Sequence, residues 1–249
     1  MEDAAMQILQ QMMKPPALMA CRKVLCVQPH PDDNEIGMGG IVAALTAAGA
    51  TVDYLTITDG ALGDQGLTPK GADLKTIRHA EALAAAEMLG VHESFFMDRP
   101  DAGLNDVPSL ADAIAGYLRA GGYDAVCGPD PWTVYEAHWD HIVAGRAVAY
   151  AAEKVGTLGG SEGSSEGLAA VGFYFTGRPN TVVDITTHFP LKMQAIAAHA
   201  SQISAEMLQL YTGYFVYRGQ LMTGSEAIGE GLKVLAPLHL HCIPEAADI

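Results

Sequence analysis

Positive charge is what this chain has least of. Only 14 Lys and Arg stand against 29 Asp and Glu in 249 residues, a formal net charge of −15. A protein that tracks the phosphates of a nucleic acid carries a basic stripe, so nucleic acid is excluded as a partner. Charged residues are also few, 17% against 49% hydrophobic, which excludes general disorder. Long apolar runs are missing. None approaches the roughly 18–20 residues that a spanning helix needs, so membrane insertion is not expected. Met1-Glu2-Asp3 lacks the basic start of a secretory signal. Cysteine is sparse: Cys21, Cys26, Cys127 and Cys242 are scattered with no C-x-x-C pair, so neither a disulfide framework nor a zinc knuckle is indicated. Free thiols and a cytoplasmic location are the expectation.

What is present is an alternation of short apolar runs and amphipathic stretches. The N-terminal segment Met6, Leu9, Met12, Met13 stops at Pro15-Pro16, which no helix interior tolerates. Strands are expected at Lys23–Gln28, Thr51–Thr58, Ser94–Met97 and Tyr123–Cys127, each followed by a helix: Gly39–Ala48, Asp73–Leu89, Pro108–Arg119 and His138–Val155. Two further strands, Val171–Phe175 and Thr181–Ile185, precede a helical pair over Phe189–Leu210. Four β–α units in succession predict an α/β fold: a Rossmann-like, mostly parallel sheet with helices on both faces. Residues 1–249 read as one domain, with 1–20 an N-terminal extension and the Gly/Ser/Glu-rich residues 156–168 a flexible loop. The N-terminal segment and the aromatic-rich Tyr211–Tyr217 are candidate surfaces for a homo-oligomer.

The polar chemistry collects after the strands. Strand one leads into His30-Pro31-Asp32-Asp33, strand three into Asp98-Arg99-Pro100-Asp101, and strand four into Tyr135-Glu136-Ala137-His138-Trp139-Asp140-His141. In a parallel sheet these loops share the edge where open α/β folds bind ligands. His30 and Asp33 are three apart at a helix entrance, and His138 and His141 repeat the spacing, so each segment can aim two groups at one centre. Two histidines and a carboxylate suit a divalent transition metal, zinc above all, with a position left for water. Asp32 and His138 would then supply a base and a polariser or acid for metal-assisted hydrolysis. Taken singly, each residue has a plainer reading: Asp32 or Asp33 as a helix cap, His138 or His141 as an ordinary part-buried histidine.

The joint pattern resembles the LmbE/PIG-L family of zinc-dependent N-acetylglucosamine deacetylases. His30-Pro31-Asp32-Asp33 runs into Glu35-Ile36-Gly37-x-Gly39-Gly40, and His138-x-Asp140-His141 follows later. Arg78-x-x-Glu81, Asp101-x-Gly103 and Lys192-x-x-Ala195-x-x-Ala198-His199-x-Ser201-Gln202 extend the match over roughly residues 23–202. The resemblance implies a Zn2+ cofactor held by His30, Asp33 and His141, with Asp32 the general base. It makes His138 the oxyanion stabiliser or amine acid and Asp140 the residue that orients a histidine. It places Arg78 and Asp101 on sugar hydroxyls and Tyr135 over the transition state, one residue further from His138 than in the family. Asn34 departs from the acidic residue common after the Asp pair. The implied activity is removal of acetyl from an N-acetylated amino sugar, a small-molecule substrate. The alternatives are a zinc amidohydrolase acting on another N-acyl metabolite and a non-catalytic sugar-binding relative.

Two other motifs are set aside. Gly37-Met38-Gly39-Gly40 with Asp53 is a poor dinucleotide fingerprint, since Val42 stands at the third glycine position. Two overlapping G-x-S-x-G matches in residues 159–167 reflect composition, without the strand–turn–helix context of a nucleophile elbow.

Overall fold

In the computed structural model, residues 2–156 and 167–249 are described. Most of the 156–168 segment, and with it the G-x-S-x-G tract, lies outside them. Strands β1 (Lys23–Gln28), β2 (Thr51–Thr58), β3 (Glu93–Arg99), β4 (Ala125–Pro129), β5 (Ala170–Tyr174), β6 (Thr181–Asp184) and β7 (Gly229–Leu235) form one sheet. Their order is β3-β2-β1-β4-β5-β7-β6. The pairs β1–β2, β2–β3, β1–β4 and β4–β5 are parallel, whereas β7 runs antiparallel to both β5 and β6. No helix among the described residues is long and apolar enough to cross a membrane.

The helices are α1 (Glu2–Met12), α2 (Asp33–Ala47), α3 (Leu74–Met88), α4 (Val107–Gly121), α5 (Trp139–Gly156), α6 (Phe189–Ala197) and α7 (Ala205–Thr223). Strand side chains alternate between faces, so β1 feeds two cores. Leu25 and Val27 pack with Leu110, Ile114 and Val148 of α4 and α5. Val24 and Cys26 pack with Ile41, Ala85 and Ala195 of α2, α3 and α6. A sheet covered on both faces explains why β1, β2 and β4 are buried along nearly their whole length. The strand order reverses between β1 and β4, the place where such sheets open a crevice beyond their carboxyl ends.

Three elements differ from the sequence expectation. Helix α2 starts at Asp33, six residues before Gly39, and is broken at Met38 (φ −148°, ψ 20°). The glycines around Met38 have weak helical preference, which hid the first turn from the periodicity. They are needed for packing: a Cβ on Gly37 would strike Tyr174 of β5, and one on Gly40 would strike Ile185. Helix α7 runs on to Thr223, and β7 occupies a stretch with no clear strand pattern, Gly-Glu-Gly-Leu-Lys. The N-terminal residues are partly integrated, with Leu18 buried and His239 Nε2 2.6 Å from the Met12 carbonyl. Of the aromatic segment on α7, Tyr214 and Tyr217 are exposed while Tyr211 and Phe215 stack face to face. Asp53 is engaged by the Tyr123 hydroxyl (2.6 Å) and His92 (2.9 Å), so it has a structural employment in β2.

Candidate metal centre and active site

The β1–α2 junction carries the first half of the site. Asp32 occupies the position before the first helical residue with φ +124°, and its side chain makes no capping bond. Its carboxylate instead accepts from Arg78 Nη2 at 3.3 Å. The capping reading therefore does not hold for Asp32. Asp33 turns back on the loop: its Oδ2 accepts from the His30 backbone N–H at 2.9 Å and lies 3.2 Å from His30 Nδ1. Asn34 ties the same turn down, its backbone N–H donating to Gln28 Oε1 (2.9 Å) and its side-chain Nδ2 to the Cys26 carbonyl (3.2 Å). The β4–α5 junction supplies the second half, with His141 Nε2 3.4 Å from Asp33 Oδ1.

His30, Asp33 and His141 thus present one donor atom each, all within 4.8 Å of one another. A second grouping, His30 with His138 and Asp140, satisfies the same distance. Chemistry separates the two. Asp140 is fully buried, and its oxygens already accept from the backbone N–H groups of Ala102 (2.8 Å) and Leu104 (3.1 Å). It faces His30 Nε2 at 3.3 Å, beside Asp101 at 3.2 Å. Two carboxylates on Nε2 hold the proton there and leave Nδ1 as the ligand atom, the usual backing of a metal-binding histidine. The donor set of His30, Asp33 and His141 therefore fits a divalent transition metal.

Electrostatics follow the same division. Burial opposes charge on His30, yet its bonds to Asp101, Asp140 and Asp33 outweigh that and push its pKa up to about 12, so a metal on Nδ1 would have to displace a proton there. Asp33 is buried as well, but His141 and His30 hold its carboxyl well below the usual range. Asp32 goes the other way: burial and the charge of Asp33 raise it to about 6, against the pull of Arg78. Burial and the neighbouring charges of His30 and His141 lower His138, so it rests neutral at pH 7. Asp33 is thus held ionised, as a metal ligand must be, while Asp32 can take up a proton near pH 6.

The remaining expected residues scatter around this centre. Arg78 is only 3% exposed and donates to the carbonyls of Pro31 (2.7 Å) and Gly60 (3.0 Å) as well as to Asp32. Asp101 divides its carboxylate between His30 and the Leu62 N–H (3.0 Å). Tyr135 is 98% exposed with φ +72° in the loop before His138. His199 is fully buried, 3.4 Å from Glu35, beneath the Asp32–Asp33 turn.

Sequence reasoning gave no role to three residues that take part, although Glu136 and Lys192 lie in motifs it singled out. Glu136 accepts the His138 N–H at 2.7 Å and stands 4.0 Å from His141 Nδ1; its place in the strand-four loop was the available signal. Lys192 and Glu230 form a buried ion pair across the break in α2. Lys192 Nζ donates to the Ile36 carbonyl (2.8 Å), and Glu230 Oε2 accepts from the Ile41 N–H (2.6 Å). No local signal links residues so far apart.

A polar crevice holding two histidines, a carboxylate and a raised second carboxylate defines a metal-assisted hydrolase site on a parallel α/β sheet. The chain belongs to the PIG-L family, whose model, described as GlcNAc-PI de-N-acetylase, matches residues 25–152. The diacetylchitobiose deacetylase of Thermococcus kodakarensis is 34% identical over 237 residues, 90% of this chain and 87% of that protein. The 1D-myo-inositol 2-acetamido-2-deoxy-alpha-D-glucopyranoside deacetylase of Kineococcus radiotolerans is 30% identical, covering 75% of this chain and 70% of that protein. Among solved structures, the N,N'-diacetylchitobiose deacetylase of Pyrococcus horikoshii superimposes with a TM-score of 0.85 at 28% identity, over 100% of this chain and 97% of that one.

Proposed function

We propose that this protein removes the acetyl group from an N-acetylated amino sugar of the N-acetylglucosamine type, with Zn2+ as its metal. The observation that carries the reading is the convergence of His30, Asp33 and His141 beside an uncapped Asp32. A divalent ion on those three residues supplies Lewis acidity, polarising the amide carbonyl and making water a better nucleophile. Asp32, ionised above about pH 6, takes the proton of the attacking water. Neutral His138 donates an N–H to the oxygen that gains charge as the carbonyl carbon becomes tetrahedral. The C–N bond then breaks, and the proton held by Asp32 passes to the departing nitrogen, giving acetate and the free amine. Asp101 and Asp140 fix the His30 ring. Arg78, buried behind Asp32, acts by holding that carboxylate in place.

Acetate release from N-acetylglucosamine and N,N'-diacetylchitobiose, abolished by a chelator and restored by zinc, is the expected result. Protein with zinc demonstrably bound but inert on both sugars would overturn the reading.

A further inference from the structure

Helix α7 carries an apolar stripe on its solvent side. Met207, Leu210, Tyr214, Tyr217 and Leu221 are each between 41% and 68% exposed. Their spacing alternates three and four residues, a period of about 3.5, and the stripe is about 21 Å long. That period suits a second helix laid along the first, because it keeps one seam of side chains facing the partner. A hollow of about 460 Å³ is bounded on the same helix by Glu206, Gln209, Leu210, Gly213 and Tyr214. Gly213 puts no side chain into it, and a Cβ there would meet nothing within 4 Å.

We propose that two copies of the chain meet on this stripe, α7 against α7, across a two-fold axis. Charge selects the occupant. Each copy carries −15, yet α7 holds only Glu206 and Arg218, so two acidic molecules can approach along it with little repulsion. A basic partner would gain more on the acidic surface elsewhere than on this neutral stripe. Area agrees with a second copy. Five large side chains, more than half exposed on average, offer about 600 Å² per copy and about 1,200 Å² in the pair, where specific interfaces begin. The helix ends set the direction. Parallel helices would place Glu206 against its own copy and bring like dipole ends together, so the pair is antiparallel. Overlap of the whole stripe then puts Met207 against Leu221, Leu210 against Tyr217, and Tyr214 against itself. Tyr217 of one copy enters the hollow of the other, where Glu206 and Gln209 can accept its hydroxyl proton in a hydrogen bond.

The test is the molar mass of the full-length protein by light scattering over a dilution series, with circular dichroism to show that each variant is folded. The wild type should contain an even number of copies. Leu210→Lys and Tyr217→Glu each put an unpaired charge into the seam and should halve that number, weakening association about 100-fold or more. Combined in one chain, the two substitutions face each other across the axis twice, and the double variant should recover the wild-type mass. Parallel helices would instead set like charges together, so a double variant that stays dissociated overturns the antiparallel pairing. Should either substitution unfold the chain, Tyr214→Cys in a Cys242→Ser background gives a second reading, an oxidant-dependent disulfide dimer. A wild type that is monomeric throughout, or that holds an odd number of copies, overturns the proposal. So does an assembly whose mass both folded single variants leave unchanged, since another face would then hold it together.

Discussion

Asp32 pays twice for its position. Its φ of +124° is one that L-residues rarely adopt, and its carboxylate is buried beside that of Asp33. Because the folded pKa, about 6, lies above the ordinary 3.8, its contribution to stability is fully present below pH 3.8 and is lost as pH rises through about 6. Asp32→Asn removes that loss. The variant should keep its metal, melt higher than wild type at pH 7–8, and lose this advantage as the pH is taken below 4. Its turnover should fall about 100-fold or more, the typical worth of a general base. Elemental analysis, thermal melts across pH and acetate release check the three parts; near-wild-type turnover would remove Asp32 from the mechanism. In the wild type, kcat/KM should decline on the acid side as Asp32 takes up its proton. Asp33→Ala and His141→Ala act on a different quantity. Each removes a donor from a three-residue set, so elemental analysis should find the metal lost at concentrations where Asp32→Asn retains it.

At the scale of elements, the break in α2 is the feature on which the site depends. The turn bearing Asp33 is separated from the rest of the helix by the non-helical Met38, which leaves the Ile36 carbonyl and the Ile41 N–H to find partners outside the helix. Lys192 of α6 and Glu230 of β7 provide them, and bind one another across the gap. Breaking a buried pair from one side leaves a bare charge, so Lys192→Met should cost about 3–5 kcal/mol. In many proteins replacing both partners with apolar residues restores stability. Here it should not: the Lys192→Met, Glu230→Leu double variant still orphans two buried backbone groups, at about 1–3 kcal/mol each. Urea denaturation of the single and double variants separates the cases, and full recovery in the double variant would show that the pair does not splint the helix.

At the scale of the whole molecule, a metal held by His30, Asp33 and His141 would link distant parts of the chain, since these residues come from the β1–α2 and β4–α5 junctions. A ligand that binds only the folded state stabilises it by mass action, about 2.7 kcal/mol at one hundred times its dissociation constant. Dialysis against a chelator should therefore abolish activity and lower the melting temperature, and added zinc should restore both. An unchanged melting temperature after verified metal removal would argue against a site that spans the two segments.

Much of this architecture was legible in the residues alone. Strands β1 and β2 have the bounds that their apolar, β-branched runs predict, because a strand buried on both faces must be apolar along its length. The gathering of these side chains was legible for a related reason: His30 with Asp33 and His138 with His141 are local pairs at strand ends, and a parallel sheet brings all its strand ends to one edge. Pairings between distant residues left no such trace. That Asp101 and Asp140 both face His30, that Arg78 lies behind Asp32, and that Glu230 reaches the Ile41 N–H 189 positions away were settled only when the chain closed on itself. Periodicity records which face a residue presents. Which residue meets it there depends on the packing of every element between them, and that is a property of the tertiary structure.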